Sequence, residues 1–299
     1  MTLVSFHDLM ADAERGNYAV GYFESWNLES LLAVADAAEA TRSPVILGLS
    51  GIYLPHAGRI VRERLSPYAA LGLDVCRQVT TPACLLFNES PALDWVLASV
   101  DLGFNLVMYA DEEKSTAELL EPVQRTVAYA HPRGAAVEAE MASPPGLSGK
   151  LAGLPADLHL TEPIAAAQFV AQTGADALAV NIGQAHLHGH GQAPLDLGRL
   201  AELRRAVPIP LVLHGATSIR REDLAVVPSL GIRKINVGSV IKRACFEAMR
   251  RASIAAGEHY NPYDVMGSGF ASDVLTAGRV AMQAVVEEMM RLFGSAGKG

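Results

Sequence analysis

Along the whole chain, short apolar runs rich in β-formers alternate with longer stretches of helical period. The apolar runs are Tyr18–Phe23, Val45–Leu49, Ala83–Phe87, Leu106–Tyr109, Ala135–Glu140, Ala177–Ile182, Leu211–His214 and Lys234–Val237. They show little polar alternation, as strands buried on both faces do. Between them lie Leu28–Thr41, Arg59–Val79, Ala92–Leu102, Ser115–Ala130, Pro163–Thr173, Asp196–Ala206, Arg220–Ser229 and Ser239–Ala256. Leu31, Leu32, Val34, Ala35 and Ala38 form a helical apolar stripe. Gly103, Gly174 and Gly231 follow helical stretches where a left-handed cap is expected. Eight strand–helix units in one series predict a parallel (β/α)8 TIM barrel, as a single domain over residues 1–299. An open doubly wound sheet is the structural rival, but it usually has fewer strands and no GxGxxG turn follows the first strand. Ala271–Phe293 is a further amphipathic helix, placed to cover the barrel or to contact another subunit. Ala142–Ala156, rich in Pro and Gly, is the one long loop and a candidate lid.

Composition narrows the function. The 299 residues are 50% hydrophobic and 19% charged, enough for a large core. The net charge of −8 opposes binding to nucleic acid, so an anionic substrate must be held by local donors. Cys76, Cys84 and Cys245 are too few and scattered for a disulfide framework or a zinc finger. The opening segment has no apolar run or basic leader, and no stretch of the sequence is apolar enough for a membrane span, so a cytoplasmic protein is expected.

In a β/α barrel the chemistry sits at the C-terminal ends of the strands. Those ends carry Asn88-Glu89-Ser90, then Glu138 and Glu140, then Gly183 to His190, His214 to Ser218, and Asn236 to Ser239. The opposite ends carry mostly Pro, Gly and small residues. His186 and His214 are one βα repeat apart, so they face one mouth, and two imidazoles with a carboxylate from Glu89 or Glu140 make a divalent-metal set. A lone histidine after a strand is more often a hydrogen-bonded core residue; the matched pair favours a metal. Gly215, Thr217, Gly238 and Ser239 follow strands seven and eight, where a phosphate site is common. The bland alternative for Thr217 and Ser239 is an ordinary helix cap.

These motifs resemble the class II, metal-dependent ketose-bisphosphate aldolases of the fructose- and tagatose-bisphosphate type. The resemblance is carried by the opening through Asn27–Glu29, by AVEAE at 136–140, TGADALAVNIGQAH at 173–186, LVLHGATSI at 211–219, KINVGS at 234–239, and the ending LFGSAGK. It implies a divalent metal, usually zinc, on three histidines, and a route that polarises a ketone carbonyl and stabilises the resulting enediolate. His186 and His214 match two of those histidines. At the third the family's His-Leu-Asp-His reads Leu86-Phe87-Asn88-Glu89, so Glu89 replaces a ligand histidine and Asn88 the catalytic aspartate. Gly238 stands where the family has an aspartate, and the mobile-loop glutamate has no counterpart.

The expectation is therefore a metal-dependent aldolase, an aldehyde-lyase, acting on a ketose phosphate with altered substrate or mechanism. Its candidate ligands are Glu89, His186 and His214, and its candidate catalytic residues are Asn88, Glu89 and Glu140. The candidate substrate and phosphate contacts are Ser50, Gly183, Gly215, Thr217, Asn236, Gly238 and Ser239. Asn88 cannot exchange a proton at neutral pH, so His188, His190, Glu140 or Glu89 must. A carboxylate ligand admits manganese, iron, cobalt or magnesium beside zinc. The partners expected are a small sugar phosphate and further copies of the chain, as a dimer or tetramer. The rivals are an isomerase or epimerase using the same enediolate, and a non-catalytic sugar-phosphate binder.

Overall fold

In the computed structural model the eight strands close on themselves in sequence order as a parallel barrel. Residues 2–141, 145–146, 159–186 and 192–299 are described. The strands are β1 (Val20–Ser25), β2 (Val45–Ser50), β3 (Ala83–Ser90), β4 (Leu106–Tyr109), β5 (Ala136–Glu140), β6 (Ala177–Ala179), β7 (Leu211–Leu213) and β8 (Ile232–Val237). Helix α1 (Phe6–Gly16) precedes them. Then come α2 (Leu28–Thr41), α3 (Leu65–Gln78), α4 (Leu93–Asp101), α5 (Thr116–Ala130), α6 (Pro163–Thr173), α7 (Leu197–Ala206), α8 (Arg221–Val226) and α9 (Ser239–Ala256). A short α10 (Pro262–Val265) and the long α11 (Val274–Leu292) end the chain.

Helix starts obey local chemistry. Asn27 and Ser30 form a reciprocal capping box on α2, as Ser115 and Glu118 do on α5. The expected helix from Arg59 begins only at Leu65, because 59–64 runs as irregular chain after β2. The expected helix from Arg220 is shortened to α8, and with Pro228 in its first turn Val227–Leu230 winds as a 3₁₀ helix instead.

The core has two layers. Outside the strands, Phe23, Leu47, Leu85, Phe87, Val107 and Val137 pack against the helices. Inside, Val20, Tyr22, Ile46, Leu86, Met108 and Val212 fill the barrel, and Phe6, Leu9 and Met10 of α1 plug its floor. Gly48 leaves room for the β3 backbone and the Tyr22 ring: a Cβ there would collide with the Leu86 carbonyl oxygen and lie 2.9 Å from the ring. Helix α11 packs across α9 and α2 and so covers the side where the last unit meets the first. No helix among the described residues is long and apolar enough to cross a membrane.

All three cysteines are buried and free, and burial pushes the Cys76 thiol up to about 12. Native protein at pH 8 is therefore expected to resist alkylation at all three, and denatured protein to be labelled at all three. Fast labelling before unfolding would show that these walls open.

Candidate metal centre and substrate cavity

Above the apolar filling, inward strand positions turn polar. Glu138 and Glu140 are two residues apart on β5, as are Lys234 and Asn236 on β8, so each pair shares a face. Glu138 and Lys234 are completely buried, with Lys234 Nζ 2.7 Å from Glu138 Oε2. The other Glu138 oxygen lies 2.8 Å from His214 Nε2. Burial works against the Glu138 charge, but Lys234 and His214 more than offset it and hold its carboxyl below the usual range.

That contact fixes the imidazole. Nε2 faces a carboxylate and must donate its proton, so in neutral His214 a lone pair points from Nδ1. Yet Nδ1 faces Glu89 Oε1 at 3.0 Å and Glu140 Oε2 at 3.8 Å. One ligand atom from each of Glu89, Glu140 and His214 lies within 4.8 Å of the others. Three acceptors converging in a buried place need a positive charge among them. The carboxylates of Glu89, Glu138 and Glu140 gather here with the Lys234 ammonium on only one of them, so the local balance suits a divalent cation. Without one, the site fills with a proton. Burial alone would lower the His214 pKa, but the Glu89 and Glu138 carboxylates raise it to about 10.

Glu89 reaches this point through a backbone irregularity. Between Phe87 and Ser90, β3 carries one more residue than β4 opposite it, and Glu89 has a left-handed φ of 53°. Such a bulge re-aims side chains, and the conformation is costly for a non-glycine residue. Asn88 and Glu89 consequently both line the cavity, with Asn88 Nδ2 donating to Glu89 Oε2 at 2.5 Å. Burial would raise the Glu89 pKa, but His214 more than offsets this and lowers it to about 2.

The cavity at the mouth has a volume of about 360 Å³. Of the expected residues, Ser50, Asn88, Glu89, His186, His214, Gly215, Thr217, Asn236, Gly238 and Ser239 line it. Glu140 belongs to the buried triad without lining the cavity, and Gly183 does not line it either. His186 lines the cavity, but its ring is not part of the converging triad. His188, His190 and most of the Ala142–Ala156 loop lie outside the described residues.

Tyr22, Glu24 and Lys242 line the cavity although the sequence does not single them out. Tyr22 lines the cavity with a buried hydroxyl that has no hydrogen-bond partner among the described residues, and Asn88 Oδ1 and Asn236 Nδ2 are in the same state. Asn236 Oδ1 is engaged by Lys234. Thr217 Oγ1 accepts the Val240 N–H at 3.2 Å, so it caps α9 and still has its own proton to donate. Glu24, from the end of β1, pairs with Lys242 at 2.6 Å on the cavity wall. A Cβ on Gly238 would come 2.5 Å from Glu24 Oε2. A side chain at 238 would therefore have to displace the Glu24 carboxylate from its present position.

The sequence matches the family model described as fructose-bisphosphate aldolase class-II over residues 4–298. It is 33% identical over 298 residues to a fructose-bisphosphate aldolase of Geobacillus stearothermophilus, covering 100% of this chain and 99% of that one. It is 30% identical over 320 residues to a fructose-bisphosphate aldolase of Thermus caldophilus, covering 99% of each. Among solved structures, the YdjI aldolase of Escherichia coli superposes with a TM-score of 0.79 at 27% identity, over 99% of each chain. A fructose-bisphosphate aldolase of Campylobacter jejuni has the same TM-score at 18% identity and supports the fold alone. With the barrel, the rim chemistry and the match along almost the entire chain in agreement, this protein belongs to the class II fructose-bisphosphate aldolase family, with a Glu/Glu/His cluster as its candidate metal centre.

Proposed function

We propose that the chain is a metal-dependent aldolase that cleaves a ketose phosphate into a phosphorylated ketone and an aldehyde, with residues 1–299 working as one unit. The observation that carries this is the convergence of Glu89, Glu140 and His214 beneath the substrate cavity. These three residues would hold a divalent cation, with His186 as a further donor on the same cavity. Two carboxylates and one imidazole admit manganese, iron, cobalt or magnesium beside zinc. The bound cation supplies Lewis acidity toward the ketone carbonyl.

The rest falls to the protein. Cleavage needs a base for the hydroxyl proton on the carbon that becomes the aldehyde, while the electron pair of the breaking carbon–carbon bond moves toward the carbonyl. Asn88 orients that hydroxyl through its unpartnered oxygen but cannot take the proton. Glu89, with Oε1 3.0 Å from His214 Nδ1 in the converging triad, suits a ligand. Among the described residues Glu140 is the remaining acid of the cluster, and it accepts the proton from just behind the cavity wall. Tyr22 and Asn236 offer O–H and N–H donors to substrate oxygens. The phosphate rests on the turns at Gly215–Thr217 and Gly238–Ser239, with Thr217 donating. Homo-oligomer formation is proposed on family resemblance alone.

Glu140→Gln is expected to keep at least part of the bound metal and to lower cleavage of ketose phosphates about a hundredfold or more, the usual scale of a lost acid–base group. Undiminished cleavage would remove Glu140 from the reaction. Solvent deuterium uptake with no aldehyde release by the unaltered protein would instead assign an isomerase.

A further inference from the structure

A second chamber of about 250 Å³ adjoins the catalytic cavity, and the two share Glu24, Ser50, Tyr53 and Lys242 as walls. It lies between the end of β1, the irregular chain after β2, and α3. Its volume approaches the lower end of small-ligand sites, about 300 Å³. Trp26, Tyr53 and Tyr68 supply aromatic walls, and Leu54 a further apolar one.

The charges around this chamber cancel in pairs. Lys242 is held by Glu24 at 2.6 Å, with its ammonium 4.8 Å from the Tyr53 ring centre and 5.7 Å from that of Trp26. Arg59 is paired with Glu63 at 2.5 Å and also donates to the Val61 carbonyl. A phosphate entering here would have to compete with two internal carboxylates for its cations. One polar group has nothing to bind: Ser25 lines the chamber, is 1% exposed, and its hydroxyl has no hydrogen-bond partner among the described residues. A buried hydroxyl left unpaired costs stability, so its presence here points to a ligand.

Resting on the aldolase function proposed for this site, we propose that the chamber is a subsite for the aldehyde half of the substrate, and that it takes an uncharged polyhydroxy chain of four or more carbons rather than a phosphorylated triose. The C–H faces of such a chain pack on Trp26, Tyr53 and Tyr68, and one of its hydroxyls pairs with Ser25. The Glu24–Lys242 pair stands at the passage between the chambers and offers an acceptor and a donor to a hydroxyl passing it. The substrate is then a ketose monophosphate longer than a hexose, phosphorylated only on the ketone side.

The test runs the metal-loaded protein in the direction of carbon–carbon bond formation, with dihydroxyacetone phosphate as donor. The aldehydes compared are glyceraldehyde 3-phosphate, both enantiomers of glyceraldehyde, and the erythroses and threoses. The best tetrose is expected to exceed both trioses in kcat/KM by about tenfold, within the range that one well-filled pocket supplies. Ser25→Ala is expected to lower the tetrose-to-glyceraldehyde ratio about fivefold, the scale of one hydrogen bond. Tyr68→Ala is expected to lower it as well. A preference for glyceraldehyde 3-phosphate, or a ratio that neither substitution moves, overturns the proposal. Solvent deuterium exchange into dihydroxyacetone phosphate alone needs no aldehyde. If exchange occurs and the phosphorylated triose is condensed in preference, only the subsite is wrong; if exchange occurs and no aldehyde is condensed, the aldolase function fails and the subsite with it. If no exchange occurs, the aldolase function fails and the subsite with it.

Discussion

His214→Ala is expected to abolish stoichiometric binding of a divalent cation and to lower ketose phosphate cleavage about a thousandfold or more. The imidazole is the one neutral donor in the triad, and Glu138 holds its tautomer so that Nδ1 faces the two carboxylates. Lewis-acid stabilisation contributes several kcal/mol to such reactions, and about 4 kcal/mol corresponds to a thousandfold in rate. The same geometry makes loading pH-dependent. In the metal-free chain the two buried carboxylates hold the His214 proton up to about pH 10. The cation must displace that proton, so apparent affinity is expected to rise about tenfold per pH unit between pH 7 and 9. The raised His214 pKa stabilises the metal-free fold: the effect is complete below the ordinary value of 6.5 and is lost as pH rises through 10. Alkaline pH should therefore weaken the metal-free fold while favouring loading. Equal cation affinity at pH 7 and 9 would contradict the proton-filled triad.

Lys234→Met carries the second large effect, on stability. Lys234 and Glu138 are both 0% exposed, and among the described residues Lys234 is the only ammonium on that carboxylate. Removing it leaves Glu138 buried with His214 alone, and breaking such a pair from one side costs about 3–5 kcal/mol. The denaturant midpoint should fall accordingly. The double variant Lys234→Met/Glu138→Gln should recover part of the loss, because it removes the charge that the single variant strands. If the double variant loses as much as the two singles combined, the residues act independently and the two charges do not support one another.

The barrel was legible in the sequence because strands buried on both faces read as continuous apolar runs and the helices between them as periodic ones. Boundaries moved where local geometry overrode the pattern: the irregular chain at 59–64 displaced the start of α3, and Pro228 cut α8 short. At the site, Glu89 and His214 stood out as polar residues at strand ends, and the structure brings them together. Glu140 was visible for the same reason. Glu138 and Lys234 were harder to see, because a charge within a buried strand has meaning only once its partner on a strand across the barrel is known. The available signal was two-residue alternation, which sets Glu138 beside Glu140 and Lys234 beside Asn236 on inward faces. Tyr22 was hidden because a tyrosine in an apolar run reads as core, and most of it is core. Glu24 and Gly238 are neighbours that no motif spells out: the closeness of the acid on β1 to the glycine after β8 is seen only in space.

The most direct measurement is a titration of chelator-treated protein with manganese, cobalt and zinc at pH 8, with elemental analysis after gel filtration. One tightly held equivalent per chain is expected, lost in His214→Ala and weakened in Glu89→Ala. An unaltered chain that retains none of these ions would contradict a metal centre built on Glu89, Glu140 and His214.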